Sequence, residues 1–225
     1  MEKYCIIVAA GSGIRMRSSV PKQFLLLAGK PVLMHSILAF RQAYPEMPVV
    51  LVLPEDQKNI WADLCQEHQL DEPHTIVSGG NTRFESVRNG LASINGYGLV
   101  AVHDGVRPLV RPDMICHLFS EAEAHSNAIP VISPKDSVRW DFNEGNRVID
   151  RNFIKLIQTP QVFLLNKLKD AYVQEFEEGF TDDATVWEKA GNKVYLTDGQ
   201  VDNIKITGPE DLIIAEAIIQ GRSSR

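Results

Sequence analysis

Tyr4-Cys5-Ile6-Ile7-Val8-Ala9-Ala10-Gly11-Ser12-Gly13-Ile14-Arg15-Met16 is an unbroken apolar run that breaks into a glycine-punctuated turn. Continuous rather than alternating apolarity predicts a strand covered on both faces, as in a parallel sheet. Pro48–Leu53 (PVVLVL), His74–Val77, Leu99–His103 and Ala128–Ile132 read as further strands of the same kind. Helical patterns lie between them. Leu33, Ile37, Phe40 and Tyr44 recur at helical spacing after Pro31, which suits a first helical position. Thr82-Arg83-Phe84-Glu85 has the form of a capping box and opens a stripe of Phe84, Val87, Leu91 and Ile94. Thr207-Gly208-Pro209-Glu210 repeats that start signal before an apolar helix to about Gln220. Strand and helix in alternation predict an α/β fold, a Rossmann-like and mostly parallel sheet flanked by helices, as one domain over 1–225.

Composition narrows the function classes. The chain has 225 residues and a formal charge of −6, with 44% hydrophobic and 23% charged residues, so it is globular rather than disordered. Net acidity argues against nonspecific nucleic-acid binding, which needs a broad basic footprint. Any anionic ligand must instead meet locally gathered Lys and Arg. Cys5, Cys65 and Cys116 are odd in number and far apart, so neither a disulfide framework nor a zinc site is expected. No apolar run approaches the roughly 20 residues of a membrane span. Met1-Glu2-Lys3-Tyr4 lacks the layout of a signal peptide, so the expected location is the cytoplasm.

One stretch departs from the alternation. From Lys135 to Arg151, short β-like pieces flank Asn143-Glu144-Gly145-Asn146, a hairpin turn signal. The pattern predicts a projecting β-arm. Two uses stay open, pairing with a second subunit and a solvated surface hairpin.

The chemistry is concentrated at the turns after strands. Gly11 and Gly13 expose backbone donors that suit phosphate oxygens. Met16 stands where the dinucleotide fingerprint needs glycine, and Gly29-Lys30 is followed by Pro31, so both common nucleotide motifs fail. What remains is Arg15 within the loop and Lys22 in Pro21-Lys22-Gln23, cations suited to a triphosphate that leaves as pyrophosphate. Asp104, ending a strand in His103-Asp104-Gly105-Val106-Arg107-Pro108, points into the usual ligand crevice. It suits Mg²⁺, with Asp202 as a second carboxylate, and equally suits a turn cap. Lys205, alternating with Asn203 on a short strand, would meet a phosphate beside the same ion. His103 reads as a packed, hydrogen-bonded histidine.

In order, VAAGSGIRM with PKQF, GGNTRFESV, HDGVRP, RNFIKLIQTPQVF, TDDA and DNIKIT span nearly the whole chain. The set resembles the 2-C-methyl-D-erythritol 4-phosphate cytidylyltransferases of the nonmevalonate isoprenoid pathway. The resemblance implies transfer of CMP from CTP to methylerythritol phosphate, and a homodimer whose β-arm reaches the neighbouring acceptor site. It puts Arg15 and Lys22 on the CTP phosphates, Lys205 near the α-phosphate, and Asp104 and Asp202 on the Mg²⁺ side. Cytosine would rest on Ala9 and Ala10 and be read by Gly80, Asn81 and Ser86. Ser137, where many members carry Thr, and Arg151 would hold the acceptor phosphate from across the dimer. Asn81 stands where an acidic residue is common. Thr181-Asp182-Asp183 matches a segment near the acceptor hydroxyls, although Thr and Asp before a helix also serve as caps. The rival readings are a ribitol-5-phosphate cytidylyltransferase on a similar framework and a nonenzymatic nucleotide-binding protein.

Overall fold

The computed structural model describes residues 1–11 and 20–223. In chain order the strands are β1 (Lys3–Val8), β2 (Leu26–Leu27), β3 (Lys30–Pro31), β4 (Val49–Leu53), β5 (Thr75–Ser78), β6 (Leu99–Asp104), β7 (Asn127–Ile132), β8 (Val138–Phe142), β9 (Gly145–Ile149), β10 (Leu156–Ile157), β11 (Gln161–Leu164) and β12 (Leu196–Asp198). The helices are α1 (Val32–Ala43), α2 (Lys58–Glu67), α3 (Arg83–Ala92), α4 (Pro112–His125), α5 (Leu165–Ala171), α6 (Asp183–Lys189) and α7 (Pro209–Ser223).

An eight-stranded sheet orders β5, β4, β1, β6, β11, β7 and β10, with β12 alongside β7. β1 pairs in parallel with β4 and β6, and β4 with β5. Successive side chains of β1 and β6 enter opposite cores, which is why those strands are apolar throughout. Cys5, Ile7, Leu99 and Ala101 pack with Leu33, Ile37 and Phe40 of α1 and with α4. Tyr4, Ile6, Val100 and Val102 pack with Phe84, Val87, Leu91 and Ile94 of the α3 stripe and with α5 and α6. A third cluster joins Leu27, Val32, Val106, Ile206 and Ala215, and seats α7 beside the loop after β6.

The sheet is mostly parallel, as the sequence predicts, with antiparallel pairing at β10 and β11. β11 lies between β6 and β7 and runs antiparallel to both. Its four residues carry too short a pattern to distinguish direction. Caps also differ in detail. Thr82 Oγ1 accepts from Glu85 N at 3.0 Å, but the Glu85 carboxylate accepts from Asn81 N at 2.6 Å, one residue before a capping box would place it. At α7 the capping carboxylate is Asp211 rather than Glu210, accepting from Thr207 N and Gly208 N. Pro31 is the residue before the first helical position of α1. Residues 203–207 follow a turn and form no strand, and are tied to the loop after β6 by Ile206 N donating to Val106 O at 2.8 Å.

Strands β8 and β9 pair only with each other, from Val138↔Ile149 to Phe142↔Gly145. The two strands form the expected hairpin. Trp140, Phe142 and Val148 are exposed on it, with the Arg147 guanidinium 5.3 Å from the Trp140 ring.

Candidate active site

The carboxyl ends of β1, β4, β5 and β6 are drawn together by main-chain bonds. Ala9 N donates to Val52 O at 2.9 Å, Gly79 N to Leu53 O at 2.8 Å, and Gly105 N to Val8 O at 2.9 Å. Gln23, fully buried, donates to Ala9 O at 3.0 Å and to Gln57 Oε1 at 2.8 Å, which ties the chain just past β1 to the segment after β4. Close approach makes small residues obligatory here. A Cβ on Gly79 would lie 2.7 Å from Ala10 Cβ, and one on Gly80 would lie 2.3 Å from Glu85 Cβ.

These turns enclose a cavity of about 340 Å³ lined by Ala9, Ala10, Gly11, Lys22, Gly80, Asn81, Ser86, Asp104 and Lys205 among others. Predicted residues from five separate stretches of sequence therefore share one space. Ser86 is buried and bound within the wall: Gly80 N donates to its Oγ at 3.1 Å, and its hydroxyl donates to Thr82 O at 2.9 Å. Gly13 and Arg15 lie outside the described residues.

A second cavity of about 260 Å³ opens beside the first, lined by Arg107, Gln158, Thr159, Gln161, Thr181 and Asp182. Arg83, Asp104 and Lys205 line both spaces. At this shared wall Lys205 Nζ sits 2.8 Å from Asp104 Oδ2, Arg83 Nε 3.4 Å from Oδ1, and Arg107 Nε 3.8 Å from Oδ2. Burial alone would raise the Asp104 carboxyl, but Arg83, then Lys205 and Arg107, outweigh it and hold the group well below the ordinary carboxylate range. Asp104 is thus a permanent anion that spaces cations rather than a proton carrier.

His103 is buried, with Nε2 3.1 Å from Arg107 O and Nδ1 3.2 Å from Thr159 Oγ1. Burial pushes it down to about 4, against a partial upward pull from Asp104. It is the packed histidine that its setting predicts.

Asp202 is not brought to either cavity. Its carboxylate accepts from Arg222 Nη2 at 2.7 Å and lies 3.9 Å from Arg111 Nη1. The two carboxylates predicted to share an ion are each already matched to cationic side chains of this chain. Among the described residues no group of three or more His, Cys, Asp or Glu side chains is arranged to hold a metal. Ser137 and Arg151 line neither cavity of their own chain; both are exposed at the base of the arm, where Arg151 Nη1 donates to Lys135 O at 2.5 Å. Asp182 caps α6 with Thr185, the ordinary role of such a residue, while its side chain also borders the second cavity.

Sequence reasoning passed over Arg83, Arg107 and Thr159. The two arginines sit inside quoted motifs, one residue after a helix cap and three after Asp104, so turn position was an available signal. Thr159 had none. It lies two residues before antiparallel β11, and its Oγ1 accepts from Asp104 N at 3.0 Å.

Comparison with known proteins meets this geometry. The chain is 49% identical over 219 residues to 2-C-methyl-D-erythritol 4-phosphate cytidylyltransferase of Bacteroides fragilis, covering 97% of this chain and 100% of that one. The enzyme of the same name from Clostridium acetobutylicum is 36% identical, with 97% of each chain covered. Among solved structures, 4-diphosphocytidyl-2C-methyl-D-erythritol synthase of Anaerococcus prevotii superposes with a TM-score of 0.83 at 29% identity, covering 97% of this chain and 96% of that one. The Thermus thermophilus 2-C-methyl-D-erythritol 4-phosphate cytidylyltransferase gives 0.76 at 30%, covering 98% and 100%. A sequence profile of that family matches residues 4–221, and the chain belongs to the 2-C-methyl-D-erythritol 4-phosphate cytidylyltransferase family.

Proposed function

We propose that the protein transfers CMP from CTP to 2-C-methyl-D-erythritol 4-phosphate, releasing pyrophosphate and forming 4-diphosphocytidyl-2-C-methyl-D-erythritol for isoprenoid biosynthesis. The observation that carries this reading is the wall of Arg83, Asp104 and Lys205 common to two adjoining cavities. The first cavity, bounded by glycines and alanines, takes the nucleotide; the second, lined with hydroxyls, amides and Arg107, takes the polyol phosphate.

The acceptor phosphate is the nucleophile. Its second pKa is near 6, so it needs no protein base at neutral pH. Bringing it to the α-phosphate costs about 4 kcal/mol per pair of unit charges at 4 Å and an effective dielectric near 20. Lys205 and Arg83 line both cavities, where those charges would meet, and Lys22 lines the nucleotide cavity, where it would face the departing pyrophosphate. Fixed cations aimed at developing charge are the principal catalytic device of such sites.

Asp104 is the carboxylate of this chain that would face a Mg²⁺ ion arriving with CTP. When bound, the ion neutralises triphosphate charge. Asp202 acts at a distance, by holding Arg222 and Arg111. The acceptor phosphate is completed by Ser137 and Arg151 of a second copy. Support comes from the arm itself: a lone two-stranded hairpin is marginal in water, and this one exposes Trp140, Phe142 and Val148. Unpaired cysteines fit a reducing compartment, the cytoplasm. No helix among the described residues is long and apolar enough to cross a membrane.

The test is an acceptor panel. With CTP and Mg²⁺, pyrophosphate release should require methylerythritol phosphate and yield the diphosphocytidyl product. Equal turnover with ribitol 5-phosphate would reassign the acceptor, and CTP binding without turnover on any polyol phosphate would leave a nucleotide-binding protein.

A further inference from the structure

Asp183 is fully buried in a site where an unmatched carboxylate would cost several kcal/mol. Its two oxygens accept from Arg83 Nη1 at 2.9 Å and Nη2 at 2.7 Å, a bidentate fork, and Oδ1 also accepts from the Tyr172 hydroxyl at 2.6 Å. Tyr172 is itself immobilised, its ring stacked 4.7 Å from that of Phe84, the neighbour of Arg83. Both terminal nitrogens of Arg83 are therefore gripped from behind, and Nε is turned to Asp104 on the wall between the cavities. Burial disfavours the guanidinium charge, yet Asp183 first and Asp104 second more than restore it. A plain staple between α3 and α6 would need no third contact at the cavity wall.

We propose that Asp183 is a positioning residue for the transfer step, and that its fork, braced by Tyr172, holds Arg83 where the two phosphates meet. This rests on the cytidylyl-transfer reading. Asp183 touches neither substrate. Its effect passes through the orientation of one guanidinium, because a planar donor set is useful only when its plane is fixed.

The substitution Asp183→Asn keeps the shape but sets an amide NH₂ against the guanidinium N–H groups. Turnover should fall roughly 10–100-fold, the usual loss when a supporting contact is removed. KM for CTP should change less than about threefold, because the cytosine-side loop is untouched. In ¹⁵N spectra the Arg83 Nη–H signals, whose protons Asp183 accepts, should be protected in the wild type, absent from Arg83→Lys, which assigns them, and lost in Asp183→Asn. The double variant should be no slower than Arg83→Lys alone.

Losses that multiply in the double variant, or an unchanged kcat with the signals retained, overturn the proposal. Should Asp183→Asn not fold, Tyr172→Phe decides: a smaller fall in kcat with weakened Arg83 signals supports it, and no change in either sinks it. If the wild type releases no pyrophosphate from CTP and methylerythritol phosphate, the transfer reading fails. The Nη–H signals then settle the Asp183–Arg83 linkage separately, with persistence in Asp183→Asn counting against it.

Discussion

The half of the sheet containing β5, β4, β1 and β6 and the half containing β11, β7, β10 and β12 build their cavities by different means. On the parallel side the strands all end at the site, and main chain with small side chains makes the wall. Shape does the selecting there: the approach of Gly79 to Ala10 leaves no room for even a methyl group. On the other side β11 runs against β6, with Gln161 opposite Val102, so its first residues rise beside the last residues of β6. The wall then consists of side-chain hydroxyls and amides from Thr159, Gln158 and Gln161. A flat base is suited to the first kind of surface and a flexible polyol to the second. β6 is the seam, and Asp104 at its end belongs to both.

The largest expected effect is at that seam. Lys205→Ala removes the ammonium that faces both cavities, and kcat should fall about 10²–10³-fold, as when a charge-stabilising donor is lost. Steady-state pyrophosphate release should show the loss with either substrate saturating, while the melting temperature holds. A change confined to one KM would mean that the halves do not share this residue. His103 tests the same seam through stability. Its folded pKa, near 4, lies below the ordinary value of about 6.5. Its contribution is therefore complete above about pH 6.5 and lost as pH falls toward 4, by up to about 3 kcal/mol. The carboxyl of Asp104, also depressed, loses its contribution only below about pH 4, in a separate window. Urea unfolding at pH 7 and 4.5 should show the wild type weakening more than His103→Gln. Parallel curves would place the acid sensitivity elsewhere.

The parallel half was readable because double-sided burial writes itself as unbroken apolar runs, and because α3 announces its start at Thr82 and its face at Phe84, Val87 and Leu91. The nucleotide cavity followed, since ligands gather at the carboxyl ends of parallel strands. That same rule hides the other half. Thr159 stands just before β11 and Gln161 at its first position, and only the strand's reversed direction brings them to the site. Arg83 was visible as a residue but not as a member of the shared wall, because its partner Asp183 lies 100 positions away. Asp202 misled for the converse reason: a carboxylate close in sequence to Lys205 is claimed by Arg222 from the last helix.

A narrower break comes from the parallel half alone. In Gly80→Ala the new Cβ must displace Glu85, whose Cβ it would meet at 2.3 Å, and with it the loop that carries Asn81. Displacement of a recognition loop by a fraction of an ångström should raise KM for CTP roughly 30-fold, within the range that such misplacement costs. KM for the acceptor should stay within about twofold, since none of its cavity is touched. A rise in both constants would show that Gly80 supports the seam as well as the base.

Arg151→Ala addresses the acceptor half, and the effect should be the smallest. Loss of one charge-assisted contact predicts about a tenfold rise in KM for methylerythritol phosphate, with KM for CTP nearly constant. Arg151 sits at the arm's base and lines neither cavity of its own chain, so the proposed contact would come from another copy. Mixing Arg151→Ala subunits with Lys22→Ala subunits separates that arrangement from a contact within one chain. If the arm crosses, one site of each mixed dimer combines an intact Lys22 with an intact Arg151, and normal acceptor affinity returns at about half the wild-type turnover. If it does not cross, every site keeps one defect, and the mixture performs no better than the average of its parents.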